Sequence, residues 1–147
     1  MASLGSVRPD PDESGSLLKP PFFSAMNKHF RFTLAEDDEN FLFLLHRALA
    51  TGFPGSSFAT FTNAEDALSH IQNSGADIVI TDHGMGAMSG TEMVRTLRNR
   101  GFTLPIIMVS GSQEAEHEAR EAGATEFFHK DIALKRVVPE VEKLLAG

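Results

Sequence analysis

Cysteine is absent from this 147-residue chain, which excludes a disulfide framework and any thiolate chemistry. No apolar run approaches the roughly 18 residues that a membrane-spanning helix needs. The N-terminus also lacks the hydrophobic segment of a secretory signal, so we expect a cytoplasmic protein with no membrane partner. Positive charge is scarce too, because 13 basic residues stand against 20 acidic ones and the formal net charge is −7. That balance argues against a nucleic-acid partner.

The first part of the chain differs in composition from the rest. Residues 1–27 are rich in serine, glycine and proline and show no apolar periodicity, which predicts a flexible N-terminal tail. The functional alternative is a tail that docks on another surface, and its apolar contact residues would be Leu17, Leu18, Phe22 and Phe23. Residues 28–147 are expected to form one domain, since 41% hydrophobic residues suffice for a core.

Strand and helix patterns alternate five times from Phe30 onward. Short apolar or alternating runs predict the strands, at residues 30–35, 57–62, 76–81, 105–110 and 126–129. An amphipathic helical stripe follows each strand. The first of these stripes consists of Phe41, Leu44, Leu45, Ala48 and Leu49. This order predicts an α/β fold, a doubly wound (βα)5 sandwich whose parallel sheet is covered by helices on both faces.

Several residues predict where the helices begin or bend. The pairs Thr62–Glu65 and Ser89–Glu92 have the spacing of a capping box. Ser112 is placed to cap the fourth helix, and Gly52 to end the first. Pro139 lies within the last apolar stripe, so it should bend that helix or sit in its first turn.

Polar residues follow four of the predicted strands, at the edge where such sheets bind ligands. They are Glu36 and Asp37 after strand 1, Asp82 after strand 3, Ser110 at the end of strand 4 and Lys130 after strand 5. Carboxylates that face one another repel, and a hard cation such as Mg²⁺ removes that penalty. With lysine and serine to contact phosphate oxygens, one carboxylate could attack phosphorus and become an acyl phosphate.

The motifs that carry these residues resemble the response regulator receiver domain of two-component signalling. They read FTLAEDDEN, DIVITDHGMGAMSG, PIIMVSG and GATEFFHK, and the resemblance spans about residues 28–145. It implies a flavodoxin-like, CheY-like sheet in the order 2-1-3-4-5. It also implies a phosphoacceptor switch, not an enzyme, served by a histidine kinase or a histidine phosphotransfer protein. An unknown downstream protein would read the face formed by helix 4, strand 5 and helix 5.

The resemblance also implies a role for each matching residue. Asp82 would be the phosphoacceptor, and Mg²⁺ would be held by Glu36, Asp37, Asp82 and the backbone carbonyl of Gly84. Ser110 would be the switch hydroxyl, Lys130 the phosphate-binding lysine and Phe127 the rotating aromatic that turns inward after phosphorylation.

The chain departs from the family pattern at several positions. Gly86 replaces the usual proline four residues after the acceptor, and Asp131 replaces the proline after Lys130, where it could compete for the lysine. Gly84 and Ser112 place no carboxylate or amide near an attacking water, so we expect hydrolysis unassisted by side chains there. Gly84 also stands where an aspartyl-phosphate phosphatase needs a second acid. The remaining alternative is a receiver-like interaction module that is not phosphorylated.

Overall fold

The computed structural model describes residues 29–146, so the predicted tail, residues 1–27, lies outside the described residues. Five strands alternate with five helices in this part of the chain, and a single 3-10 turn, Gln113–Ala115, precedes the fourth helix. The strands are β1 (Arg31–Ala35), β2 (Ser57–Phe61), β3 (Ile78–Asp82), β4 (Ile106–Ser110) and β5 (Glu126–His129). The helices are α1 (Glu39–Gly52), α2 (Ala64–Ser74), α3 (Gly90–Asn99), α4 (Glu116–Ala122) and α5 (Lys130–Ala146).

All strand pairs are parallel, and the sheet order is β2-β1-β3-β4-β5. The register sets Ala35 opposite Thr81 and Asp82 opposite Val109. In the next pair of strands, β4 and β5, Ser110 lies opposite His129. The predicted strand order is therefore confirmed, and strands β1, β3, β4 and β5 end at a common edge.

The sheet separates two apolar clusters, as a doubly wound fold requires. Every residue of β3 and β4 is buried, which explains why these two strands read as nearly continuous apolar runs. One cluster contains residues of α2, α3 and α4, such as Ile71, Met93 and Ala119. The other contains residues of α1 and α5, such as Leu45 and Val137. The predicted fold class is confirmed.

The start of α2 differs from the prediction. Asn63, not Thr62, is the N-cap residue, and its side chain accepts a 2.7 Å hydrogen bond from the amide of Asp66. The predicted capping box at Thr62–Glu65 is therefore wrong by one residue. Asparagine ranks above threonine as an N-cap, and this preference agrees with the later start.

The other two predicted helix caps, at Ser89 and Ser112, have different outcomes. At α3, Ser89 and Glu92 form both bonds of the predicted capping box, so that prediction is confirmed. The predicted cap at Ser112 is wrong, because its side chain makes no capping hydrogen bond. Its backbone amide instead donates to Ser110 Oγ.

One apolar assignment changes, and one of two alternatives for Pro139 is excluded. The prediction that Leu44 faces the core is wrong, since 45% of this residue is exposed while Leu45 and Leu49 are buried. Adjacent helical residues point about 100° apart, so a stripe centred on Leu45 leaves Leu44 outside. Pro139 lies inside α5 and not in its first turn. It is exposed, where water can reach the carbonyl that lacks its N–H partner.

Among residues 29–146, no helix combines the length and the apolar character that crossing a bilayer requires.

The first residue of α3 packs tightly against β3. The amide of Gly90 donates a 2.7 Å hydrogen bond to the carbonyl of His83. A Cβ atom at Gly90 would collide with the carbonyl oxygen of Asp82, so only glycine fits this approach without displacing the strand end.

We expect Gly90→Ala to lower the free energy of unfolding by about 1–3 kcal/mol, the usual cost of overpacking a filled site. Gly84→Ala is the matched control in the same loop, because a Cβ there meets nothing within 4 Å. Urea unfolding followed by circular dichroism measures both variants. Equal stability of the two would contradict the close approach described at Gly90.

Candidate functional site

Three carboxylates meet at the carboxyl edge of the sheet. Glu36 and Asp82 follow the paired residues Ala35 and Thr81, so the strand register alone makes them neighbours. Carboxylate oxygens of Glu36, Asp37 and Asp82 all lie within 4.8 Å of one another. Glu36 is fully buried and Asp82 is 6% exposed, while Asp37 faces solvent. The structure thus brings the predicted acidic group together.

The side chain of Glu36 is held by one of its two oxygens. Glu36 Oε2 accepts hydrogen bonds from the amide of Asp38 at 3.0 Å and from Lys130 Nζ at 2.9 Å. Glu36 Oε1 is buried and has no hydrogen-bond partner among the described residues. An unpaired buried carboxylate oxygen is costly, and a hard cation with oxygen ligands is one partner that would remove this cost.

Lys130 brings the positive charge of the site. Its Nζ atom lies 3.7 Å from Asp82 Oδ2 and 4.9 Å from the centre of the Phe41 ring. Asp131 is directed elsewhere, since its carboxylate is 88% exposed and lies 3.6 Å from His129 Nδ1. The expectation that Asp131 competes for the lysine is therefore wrong, and the competing carboxylate is Glu36.

Burial shifts the proton affinities of these groups. Desolvation raises the pKa of Glu36 to about 7, against the lowering effect of its hydrogen bond with Lys130. Desolvation also raises the pKa of Asp82, although the Lys130 charge acts in the opposite direction. Burial alone would lower the pKa of Lys130, but its hydrogen bond to Glu36 and the charge of Asp82 outweigh burial and raise it. Lys130 is therefore a permanent cation at neutral pH.

His83 joins the loop that follows Asp82 to α4, a contact that sequence spacing did not reveal. Its amide donates to Asp82 Oδ1 at 2.7 Å, and its ring Nε2 lies 3.4 Å from Glu118 Oε1. In the same loop, Gly84 is exposed and Gly86 has a left-handed φ of 51°. Glycine adopts that conformation without strain, so the replacement of the usual proline fits the path of this loop.

The two predicted switch residues lie on adjacent strands. Ser110 is 4% exposed, and its Oγ accepts a 3.0 Å hydrogen bond from the amide of Ser112. Phe127 pairs with Met108, two residues before Ser110. Only 5% of Phe127 is exposed, so its ring already lies inward here, and the predicted inward turn does not describe this conformation.

Comparisons with known proteins agree with this arrangement. A family model described as the response regulator receiver domain matches residues 32–142. The glycerol metabolism activator of Pseudomonas putida is 28% identical over 121 residues, which cover 80% of this chain and 55% of that protein. The response regulator MprA of Mycobacterium sp. (strain KMS) is 29% identical over 117 residues, or 78% of this chain and 50% of that protein. The chain thus spans about half the length of these curated relatives.

The fold is also that of a solved structure. A response regulator receiver domain protein (CheY-like) from Methanospirillum hungatei superimposes with a TM-score of 0.70 at 22% identity. The superposition covers 79% of this chain and 93% of that one. At this level of identity the likeness shows the fold alone.

The raised pKa of Glu36 predicts a pH-dependent stability. Between its ordinary pKa of 4.5 and its folded pKa of about 7, the unfolded state loses this proton while the folded state keeps it. Stability should therefore fall as pH rises through this window and level off above it. Relative to Glu36→Gln, the wild type should lose about 1–3 kcal/mol between pH 4.5 and 7.

Urea unfolding of both proteins at four or five pH values measures this difference, because carboxyl groups outside the cluster of Glu36, Asp37 and Asp82 contribute equally to each. A constant difference across the window would contradict a protonated Glu36 in the fold.

Proposed function

The chain belongs to the response regulator receiver domain family of two-component signalling, and on that premise we propose that Asp82 is its phosphoacceptor. The supporting observation is the buried Asp82 carboxylate, 3.7 Å from Lys130 Nζ and grouped with Glu36 and Asp37. A phosphohistidine of a histidine kinase or a histidine phosphotransfer protein would be the donor. The protein would act as a switch and not as an enzyme.

The residues at this edge of the sheet fit Mg²⁺. Its ligands would be the carboxylates of Glu36, Asp37 and Asp82 and the backbone carbonyl of Gly84. Oxygen ligands suit this hard cation, and the unpaired Glu36 Oε1 supports a cation in this position. When bound, Mg²⁺ would neutralise charge on the carboxylates and on a phosphoryl group.

The side chains of the protein would carry out the transfer. An Asp82 carboxylate oxygen attacks phosphorus, forming an O–P bond as the P–N bond of the phosphohistidine breaks. The leaving imidazole keeps the bonding pair and takes up a proton. Lys130 balances the added negative charge, and the Ser110 hydroxyl, whose oxygen here accepts a hydrogen bond from the Ser112 amide, would donate a hydrogen bond to a phosphoryl oxygen.

The output would pass through the packing of β4, β5 and α4. A shift of Ser110 toward the phosphoryl group would release its contact with Ser112 and repack the buried Phe127 ring. Phenylalanine has no hydroxyl, so this coupling is steric. Arg120 of α4 donates hydrogen bonds to Glu116 of the same helix at 2.9 Å and to Glu126 of β5 at 2.6 Å, and the second bond joins α4 to β5. A downstream protein would therefore read the face formed by α4, β5 and α5.

Incubation with Mg²⁺ and acetyl phosphate should add one phosphoryl mass to the intact protein. The gain should vanish in Asp82→Asn, which lacks the nucleophilic carboxylate, and without Mg²⁺. Lys130→Ala should slow the gain strongly, by about 10-fold or more, because the transferred charge loses its partner. Mass spectrometry is the suitable readout, since the chain has no tryptophan or tyrosine whose fluorescence could report the change.

An unmodified wild type, together with an NMR spectrum that does not change with beryllofluoride and Mg²⁺, would refute the proposal. The receiver-like interaction module would then be the better account.

Mg²⁺ at millimolar concentration should raise the unfolding temperature of the wild type by about 2–5 °C, because it binds only the folded carboxylate cluster. Asp82→Asn should lose most of this gain. It should also be more stable than the wild type without Mg²⁺, since it removes one charge from the cluster. Asp131→Asn is the control, as that carboxylate is 88% exposed and lies outside the cluster. Calorimetry giving the same Mg²⁺ response in all three proteins would contradict the assigned ligands.

A further inference from the structure

A shallow apolar groove lies between α1 and α5, away from the acidic cluster. It has a volume of about 350 Å³ and is lined by Leu44, Arg47, Ala48, Thr51 and Leu134. The large apolar side chains that are exposed in the described part of the chain all belong to these two helices. They are Phe43, Leu44 and Ile132, with 63%, 45% and 43% of their surface exposed.

The described chain begins at one end of this groove. The Phe30 ring packs edge-on against Phe53 at 6.2 Å between ring centres, and the Phe30 amide donates to Ser56 Oγ at 3.0 Å. Phe53 directly follows α1, and Thr51 lines the groove within the last turn of α1. The described chain therefore begins beside the C-terminal end of α1, at the Thr51 end of the groove.

The preceding segment has the length and the side chains to cover the groove. From Phe23 to His29 an extended chain reaches about 20 Å. The groove runs only about 10 Å along α1 from Thr51 to Leu44. The sequence LLKPPFF at residues 17–23 contains four large apolar side chains within seven residues, which would otherwise stay in water at a cost in free energy.

We propose that residues 17–23 bind the groove between α1 and α5 of the same chain. Phe22 and Phe23 would lie toward Ala48 and Thr51, and Leu17 and Leu18 toward Leu44 and Leu134. Because the segment is tethered, its effective concentration at the groove is in the millimolar range. Any other protein that uses this surface must displace it. The inference goes beyond the proposed phosphorylation and does not depend on it.

The natural absence of cysteine permits a direct proximity test in the full chain. Lys19→Cys is combined with Arg47→Cys at the groove, or with Ser69→Cys on α2, which is exposed on the opposite face of the sheet. The pairs are oxidised at low micromolar protein concentration. The intramolecular disulfide should form at least about 10-fold faster in the protein that carries Arg47→Cys than in the protein that carries Ser69→Cys.

A second comparison separates binding from mere tethering. In the Lys19→Cys, Arg47→Cys protein, Leu17, Leu18, Phe22 and Phe23 are all replaced by serine, which keeps the tether and removes the apolar contact. The disulfide should then form about 10-fold more slowly than with the apolar residues in place. Equal rates with and without these residues would overturn the proposal. A predominantly disulfide-linked dimer would overturn it as well, because the groove would then hold a second copy's segment.

Discussion

The ion pair between Lys130 Nζ and Glu36 Oε2, 2.9 Å long, offsets part of the cost of burying two carboxylates at the carboxyl edge of this sheet. Parallel strands converge there, and the register places Glu36 and Asp82 side by side in a region with little water. Two buried carboxylates disfavour each other's ionisation, and one ammonium group offsets part of that cost. The buried Glu36 Oε1, unpaired in the described structure, shows that the compensation is incomplete. A site that sets one lysine against two buried carboxylates is therefore suited to bind a further cation.

The rest of the fold serves to hold these groups in place. β3 and β4 are buried on both faces, so the positions of Asp82 and Ser110 are fixed by apolar packing and not by the charges themselves. Gly90 lets α3 approach the Asp82 carbonyl, and α5 begins at Lys130 with no intervening loop. The charged groups therefore stand on rigid elements. A site built in this way can remain electrostatically strained without unfolding, because the core and not the site provides the stability.

Periodicity and strand ends were enough to predict the five (βα) units and to place Glu36, Asp37, Asp82, Ser110 and Lys130 at one edge. These features depend on local apolar patterns, which the sequence shows directly. The strand order came from the family resemblance, since sequence alone does not say which parallel strands are neighbours. The partner of Lys130 was missed because Glu36 lies 94 residues away, and its side-chain direction depends on packing. The predicted start of α2 was wrong by one residue, which is within the usual uncertainty of element ends. The predicted orientation of Leu44 was wrong by one helical step.

If Asp82 is phosphorylated as proposed, a signal could reach α4 through either of two sets of contacts, and the burial of each set decides which would carry it. The outer route runs through His83 to Glu118, but the Glu118 side chain is 56% exposed and the pair is 3.4 Å apart. Exposed pairs of this kind contribute little, typically under about 1 kcal/mol. The inner route runs through Ser110 to the Ser112 amide and the packed Phe127 ring, both beside a buried strand. A displaced buried hydroxyl must find a new partner, so a change at Asp82 would be transmitted mainly along the inner route, and His83 would modulate it from the surface.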